Sequence, residues 1–227
     1  MIQPFRTQEA VYRRYWARAY AGWPRFASVQ PGAAHRAFAA WEEAGTLARL
    51  VTQNVDRLHQ RAGSRAVIDL HGRLDVVVCL GCGERTSRDE LQTVMAAANP
   101  AWRVAAVAAP DGDADIDEAV IESFVAPRCA RCGGLVKPDV VFFGENVPGP
   151  RVERCYAAVD ALPDCDGALL VLGSSLTVMS GFRFVRHAAK LGVPVVIVNR
   201  GTTRGDDLAT VKLHAGTTEF ATALAGG

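Results

Sequence analysis

The chain has 227 residues, 49% of them hydrophobic and 22% charged, with mean hydropathy +0.08, which predicts a globular protein with a substantial core and excludes the disordered and collagen-like classes. Lys and Arg number 25 against 24 Asp and Glu, a net charge of +1, so no broad basic field invites nucleic acid or an anionic membrane, and a metabolite or neutral surface is the expected partner. The longest apolar runs, at 168–172 and 193–198, fall far short of the ~20 residues of a membrane span, and the opening MIQPFRTQEAVYRRYW lacks the apolar segment of a secretory signal, so a cytoplasmic protein is expected.

Thr7 is placed to cap a helix in which Val11, Tyr12, Tyr15, Trp16 and Ala19 recur at three- and four-residue spacing, closed by Gly22 and Pro24. A second helix is expected at 33–44, stopped by Gly45. Strands are expected at 47–52, 67–70 and 74–78, with a polar loop and a helical turn after the first. Residues 87–99 read as a helix with Leu91, Val94 and Met95 on its apolar face. Beyond Pro100, Asp111, Asp113, Asp115, Asp117, Glu118 and Glu122 form an acidic run that reads as a solvated excursion. From Asp166 the pattern alternates: strand 168–172, helix 180–191, strand 194–198, strand 210–213, helix 218–225. Continuously apolar strands in such alternation predict an α/β fold, a parallel sheet with helices on both faces.

Six cysteines are too few for a disulfide scaffold, and four form two CxxC knuckles, Cys79/Cys82 and Cys129/Cys132, with glycines in their turns. Four thiolates suit a closed, structural tetrahedral zinc site, although the interval between the knuckles exceeds that of a minimal zinc ribbon. Cys155 and Cys165 read as small buried hydrophobes.

The other candidate chemistry lies at the expected carboxyl ends of strands, where open α/β sheets bind ligands. Thr52-Gln53-Asn54-Val55-Asp56-Arg57-Leu58-His59 follows the first strand and His71-Gly72 the next. Amides and a carboxylate there suit a ribose or a carboxamide, and His71 suits general-base work near neutral pH, though a lone His beside Gly is often structural. His35, His59, His187 and His214 take the structural reading, with His59 orienting the loop. Gly173-Ser174-Ser175, between a strand and a helix, admits a phosphate or ribose but also suits a plain turn. Asn199-Arg200-Gly201 follows the next strand, and the two loops together favour a nucleotide. Lys137-Pro138-Asp139-Val140-Val141-Phe142-Phe143-Gly144-Glu145 reads as an extended segment running to Gly144, either core or an edge for an extended peptide.

In this order, TQNVDRLH, DLHG, the paired knuckles, KPDVVFFGE, GSSLTV and VNRG resemble the sirtuin family of NAD-dependent protein deacylases, with TQNVD, HQRAGS and GSSLTVMSGFRFVRHA most similar to its class II branch. The resemblance implies a Rossmann-like NAD-binding domain at 1–72 and 140–227 and an inserted small zinc-binding domain at 73–139. It implies His71 as general base acting through the ribose hydroxyls and Asn54 beside it in catalysis. Gln53, Asn54, Val55 and Asp56 would surround nicotinamide and its ribose. Gly173, Ser174 and Ser175 would hold phosphate and ribose, Asn199, Arg200 and Gly201 would meet the adenosine ribose, and Thr217 would lie near adenine. Val141, Phe142, Phe143, Gly144 and Glu145 would pair with an acyl-lysine substrate, whose acyl group passes to ADP-ribose as nicotinamide leaves. The family's opening Gly-rich segment, GAGxSxxSGIPxFR, has no counterpart, since no G-x-G precedes Thr52. The resemblance therefore implies that a central strand and the pyrophosphate loop either lie upstream or are lacking, with impaired folding and NAD binding and a tendency to associate. Mono-ADP-ribosyl transfer at the same NAD site, and a truncated inactive zinc-stabilised binding module, stay open as alternatives.

Overall fold

The computed structural model describes residues 1–102, 107–108 and 114–225. Its opening elements are α1 (Ile2–Thr7), α2 (Glu9–Ser28), α3 (Ala33–Glu43), β1 (Leu50–Thr52), α4 (Leu58–Arg61), β2 (Val67–Asp69), β3 (Gly72–Cys79), β4 (Arg85–Ser87) and α5 (Arg88–Ala98). Then come β5 (Val107–Ala108), β6 (Ala114–Asp115), α6 (Glu118–Glu122), β7 (Val136–Val140), α7 (Gly149–Asp160), β8 (Leu169–Leu172), α8 (Met179–Lys190), β9 (Val195–Val198), β10 (Val211–Leu213) and α9 (Thr217–Ala225). They sort into two compact units, Met1–Val29 with His71–Asn146, and Gln30–Leu70 with Val147 onward. Among the described residues no helix is long and apolar enough to cross a membrane.

In the first unit β3 is the middle strand, antiparallel to β4 and β7, with Cys79 opposite Val136 and a bulge between Arg73 and Val77. The aromatic stripe of α2 packs here: Tyr12 and Trp16 are buried with Val77, Met95, Phe124 and Val136. The Tyr12 hydroxyl donates to the Pro127 carbonyl at 2.6 Å and accepts from the Val136 N–H at 3.1 Å, and the Trp16 indole donates to the Val136 carbonyl at 3.2 Å. Burial pushes the Tyr12 hydroxyl up to about 12. The first 29 residues pack within the cysteine-bearing unit, their apolar face set against Val136 of β7 and its neighbours. Tyr12→Phe should cost ~1–3 kcal/mol by stranding a buried N–H and carbonyl. Urea unfolding checks this, and an unchanged midpoint would refute it.

Three local expectations give way here. Thr7 ends α1, its hydroxyl donating to the Gln3 carbonyl at 2.9 Å, and α2 begins after Gln8. α2 also continues past Gly22 and Pro24 to Ser28. Pro24 cannot donate to Tyr20, four residues back, so the Tyr20 carbonyl accepts from Gln92 Nε2 at 3.0 Å, while the Ala19 carbonyl accepts from Arg88 at 2.9 Å. Arg88 is itself buried, its guanidinium 4.7 Å from the centre of the Trp23 ring. α5 starts as expected: Ser87 Oγ accepts from the Glu90 N–H at 3.0 Å and Glu90 answers to the Ser87 N–H at 2.9 Å. Of the acidic run, Asp111 and Asp113 lie outside the described residues. Glu118 and Glu122 are exposed, but Ile116, Ile121 and Phe124 are buried, so the run is anchored rather than wholly solvated.

The second unit carries the parallel strands, in two ladders. β8, β9 and β10 pair in the order β10-β9-β8, with Leu172 opposite Val198 and Val198 opposite Leu213. β1 pairs with β2, Thr52 opposite Asp69. Among the described residues no backbone ladder joins β1 to β8, yet Leu50 and Leu172 pack on the same residues of α3 and α9, namely Ala34, Ala37, Phe38 and Ala221. β1 is shorter than expected because the Thr46 and Leu47 N–H groups turn back to the Trp41 carbonyl, after Gly45 at φ 77°. α7 is an addition to the expected elements, although Val152, Cys155 and Val159 lie at helical spacing behind a proline-bearing start. These residues and Val185 and Ala188 of α8 cover β2 and β9. Cys155 is buried as expected, but Cys165 is exposed, at the end of the 3-10 turn Pro163–Cys165.

Candidate functional site

The two knuckles meet. Their four Sγ atoms lie within 4.8 Å of one another, with Cys79–Cys132 at 3.5 Å and Cys82–Cys129 at 3.7 Å. Tetrahedral zinc with Zn–S bonds of about 2.3 Å requires Sγ–Sγ edges of roughly 3.8 Å, so a zinc ion fits. The turns are built for it: a Cβ on Gly134 would press on Cys79 and Cys132 Sγ at 3.2 Å. N–H groups of Cys82 and Gly81 pull the Cys79 thiol down to about 6. In Cys132 the Gly134 N–H acts in the same sense, but the neighbouring Cys82 and Cys79 thiols push it up to about 12. Sulfurs this close cannot all ionise without a cation among them, so the site calls for a metal. All four ligand positions are sulfur, which leaves no open position for catalysis.

In the second unit the strand ends gather the polar residues. Gln53, just past β1, accepts from Ser174 Oγ at 3.1 Å, just past β8. Gly173 sits at φ 62°, and a Cβ there would meet Thr217 Oγ1 at 2.5 Å, which brings the Gly173 turn against the start of α9. Ser175 Oγ lies 3.0 Å from Thr177 Oγ1, and the Ser175 carbonyl accepts from the Arg204 N–H at 2.9 Å. Asn199 folds over its own loop, donating to the Arg200 carbonyl at 3.1 Å and the Gly201 carbonyl at 3.5 Å. Arg200 is exposed and pairs with Glu219 at 3.2 Å. The Gly216 N–H, then Arg200, hold the Glu219 carboxyl below the usual range. Gln53, Gly173, Ser174 and Thr217 are thus brought together.

The loop after β1 is tightly determined. The Asn54 N–H donates to Thr52 Oγ1 at 3.1 Å, and Asp56 Oδ1 accepts from the N–H of Leu58, the first residue of α4, at 2.9 Å. Val55 is half-buried. Arg57 adopts φ 64°, ψ 15° and pairs with Asp69. His59 is buried against His35 and Phe38, with ring centroids 4.7 and 5.8 Å away, and desolvation, then His35, lowers its basicity. The structural expectation for His59 fits this packing.

His71 and 141–145 fall in the first unit, where the His71 carbonyl accepts from the Val141 N–H at 2.8 Å. The segment is not extended to Gly144 as expected. The strand stops at Val140, and the chain folds on itself: the Phe142 N–H donates to the Glu145 carboxylate at 2.8 Å and the Glu145 N–H to the Phe142 carbonyl at 2.9 Å. Buried Lys137 anchors this turn, pairing with Glu145 at 2.9 Å, donating to the Val140 carbonyl and lying 4.7 Å from the centre of the Phe142 ring. Phe143 is left 77% exposed.

The sequence profile of the Sir2 family matches residues 2–180, a stretch that contains the cysteine cluster and the loops after β1, β2 and β8. The chain belongs to the Sir2 family. Among its relatives, an NAD-dependent protein deacetylase of Xanthomonas axonopodis pv. citri (strain 306) is 56% identical over 94% of this chain and 72% of its own length. NAD-dependent protein deacetylase 2 of Bradyrhizobium diazoefficiens is 53% identical over 94% and 77%. Among solved sirtuins, a Sir2 with a p53 peptide and NAD+ is 30% identical, covering 99% of this chain and 80% of that one at a TM-score of 0.77. A Sir2Tm bound to a propionylated peptide gives 30%, 99% and 81% at 0.78. The α/β sirtuin fold and a four-cysteine cluster compatible with one structural zinc ion are therefore properties of this chain.

Asp69, Lys137 and Gly181 also position these loops without standing out in the sequence as site residues. Asp69 and Lys137 stand inside family motifs, and their charge beside apolar strands is the available signal. Gly181 gives no signal by spacing; only the fold shows that a Cβ there would lie 2.9 Å from Gln53 Nε2.

Proposed function

We propose that this chain is an NAD-dependent protein lysine deacylase that transfers the acyl group to ADP-ribose and releases nicotinamide. The observation that carries the reading is the Gln53–Ser174 contact at 3.1 Å, which joins two polar strand ends in a chain 56% identical to a protein named for that activity. His71 takes the proton from a ribose hydroxyl and so activates that oxygen toward the acyl carbon. Asn54, with Gln53, Val55 and Asp56, surrounds the nicotinamide side. Gly173, Ser174 and Ser175 hold phosphate and ribose, Asn199, Arg200 and Gly201 the adenosine ribose, and Thr217 the adenine. Val141, Phe142, Phe143, Gly144 and Glu145 receive the acyl-lysine backbone. Cys79, Cys82, Cys129 and Cys132 hold zinc, which supplies structure only. Residues 1–72 with 140–227 act as the NAD-binding domain and 73–139 as the zinc module, whose cysteine cluster lies in the first compact unit together with residues 1–29. Four reduced thiols fit a cytoplasmic protein.

The test is nicotinamide release from NAD in the presence of acetyl- and propionyl-lysine peptides. Peptide-dependent release with O-acyl-ADP-ribose as product supports the reading. Release that instead labels protein with ADP-ribose would replace it with mono-ADP-ribosyl transfer, and no release from zinc-loaded protein would overturn it.

Gly181→Ala probes the cofactor side. Its Cβ lies at 2.9 Å from the Gln53 amide, the movable end of a side chain, so that amide must swing away from Ser174. Stability should hold or rise, because Ala is favoured over Gly in a helix by up to ~1 kcal/mol. Loss of one hydrogen bond should raise KM for NAD by roughly 2- to 10-fold. Steady-state kinetics beside thermal unfolding checks this; an unchanged KM would count against the placement of Gln53.

A further inference from the structure

Asp69, the last residue of β2, aims both carboxylate oxygens at the loop that follows β1. Oδ2 accepts from the Arg57 guanidinium, and Oδ1 accepts from Gln60 Nε2 at 2.9 Å. The pair is largely withdrawn from water, Asp69 at 16% and Arg57 at 22% exposure, so it is screened far less than a surface pair. Because Thr52 and Asp69 stand opposite each other in the parallel ladder, the carboxylate sits beside the point where the loop leaves the sheet.

What it grips is a strained residue. Arg57 occupies the left-handed region at φ 64°, ψ 15°, which a side chain bearing a Cβ holds only where its surroundings impose it. The other bonds of the turn, Asn54 to Thr52 and Leu58 to Asp56, are local and span two residues each. They shape the turn without setting its direction. Longer-range side-chain holds among the described residues include Ser174 on Gln53 at its start and Asp69 on Arg57 and Gln60 at its end.

We propose that Asp69 is a positioning residue, whose carboxylate holds Arg57 in the left-handed conformation and thereby fixes how Asn54, Val55 and Asp56 are presented to the nicotinamide end of the co-substrate. The proposal rests on the reading that this loop meets nicotinamide. It goes further in locating the control of that loop on a neighbouring strand, two residues before His71.

The strain supplies a discriminating test. Asp69→Asn keeps the shape but removes the charge facing Arg57 and sets an amide N–H₂ among donors. Glycine at 57 adopts positive φ without strain, so in Arg57→Gly the loop needs the carboxylate less. Four proteins are compared: wild type, D69N, R57G and the double variant, together with D69E as the charge-preserving control. The readouts are kcat and KM for peptide-dependent nicotinamide release, amide hydrogen exchange over residues 53–61, and thermal unfolding.

D69N should lower kcat about 10- to 100-fold, the scale of a misplaced reacting group, with KM for the peptide within about two-fold, and should speed exchange across 53–61. D69E should recover part of the kcat loss. In the R57G background the same D69N change should cost less than about three-fold, a non-additivity expected only of groups acting through one another. Wild-type-like kcat and exchange in D69N would overturn the proposal. So would an undiminished cost in R57G, which would make Asp69 a support of β2 and no more. If the wild type releases no nicotinamide with any peptide, the assigned reaction fails, and the exchange cycle still decides whether Asp69 holds the loop.

Discussion

Cys79→Ser is expected to empty the zinc site and unfold the first unit. Cys79 lies on the middle strand of that unit's sheet, is buried, and stands in register with Val136, whose N–H and carbonyl are both bound by α2. Structural zinc binding in small domains is worth ~10–16 kcal/mol in apparent terms, comparable with the ~5–15 kcal/mol that holds a whole domain folded. Metal analysis should fall from one zinc per chain to none, and the midpoint of thermal unfolding should drop by more than about 10 °C. Cys165→Ser, on an exposed 3-10 turn, is the matched control and should change neither. A Cys79→Ser protein that keeps a full equivalent of zinc would remove Cys79 from the ligand set.

The second large effect is expected at His71. On the proposed role of His71 as the group that takes the ribose proton, removing the imidazole should cost roughly 10²- to 10⁴-fold in kcat. The KM for peptide should change little, since the backbone of residue 71 still accepts from Val141 and the 141–145 turn is held independently by Lys137 and Glu145. His71→Ala is therefore expected to fold, to bind zinc and to form O-acyl-ADP-ribose only at the background rate. A variant retaining more than about a tenth of wild-type kcat would exclude His71 as the base.

Legibility followed how local the determining physics is. The knuckles were readable because cysteine spacing and turn glycines carry the whole site. The strand ends before the loops at 173–175 and 199–201 were readable because continuous apolar runs fix them. The docking of Tyr12 and Trp16 onto β7 was not readable, since an amphipathic stripe shows that a helix buries a face but not which sheet receives it. The passage of α2 through Pro24 depends on Gln92, far away in sequence, which supplies the donor that proline lacks. The folding of 141–145 back on itself follows from a Lys137–Glu145 pair whose members, seen as letters, are only a charge at each end of an apolar run.

The packing of α2 also gives the molecule a built-in optical reporter. Trp16, Trp23 and Trp102, three of the four tryptophans, lie in the unit that holds the cysteine cluster, and only Trp41 lies in the other. Trp16 is sealed against Val136, one ladder step from Cys79, and shares the Arg88 guanidinium with Trp23. Intrinsic fluorescence of the intact protein will therefore follow metal occupancy, shifting to longer wavelength as chelation lets water reach those indoles, with no label and no turnover required.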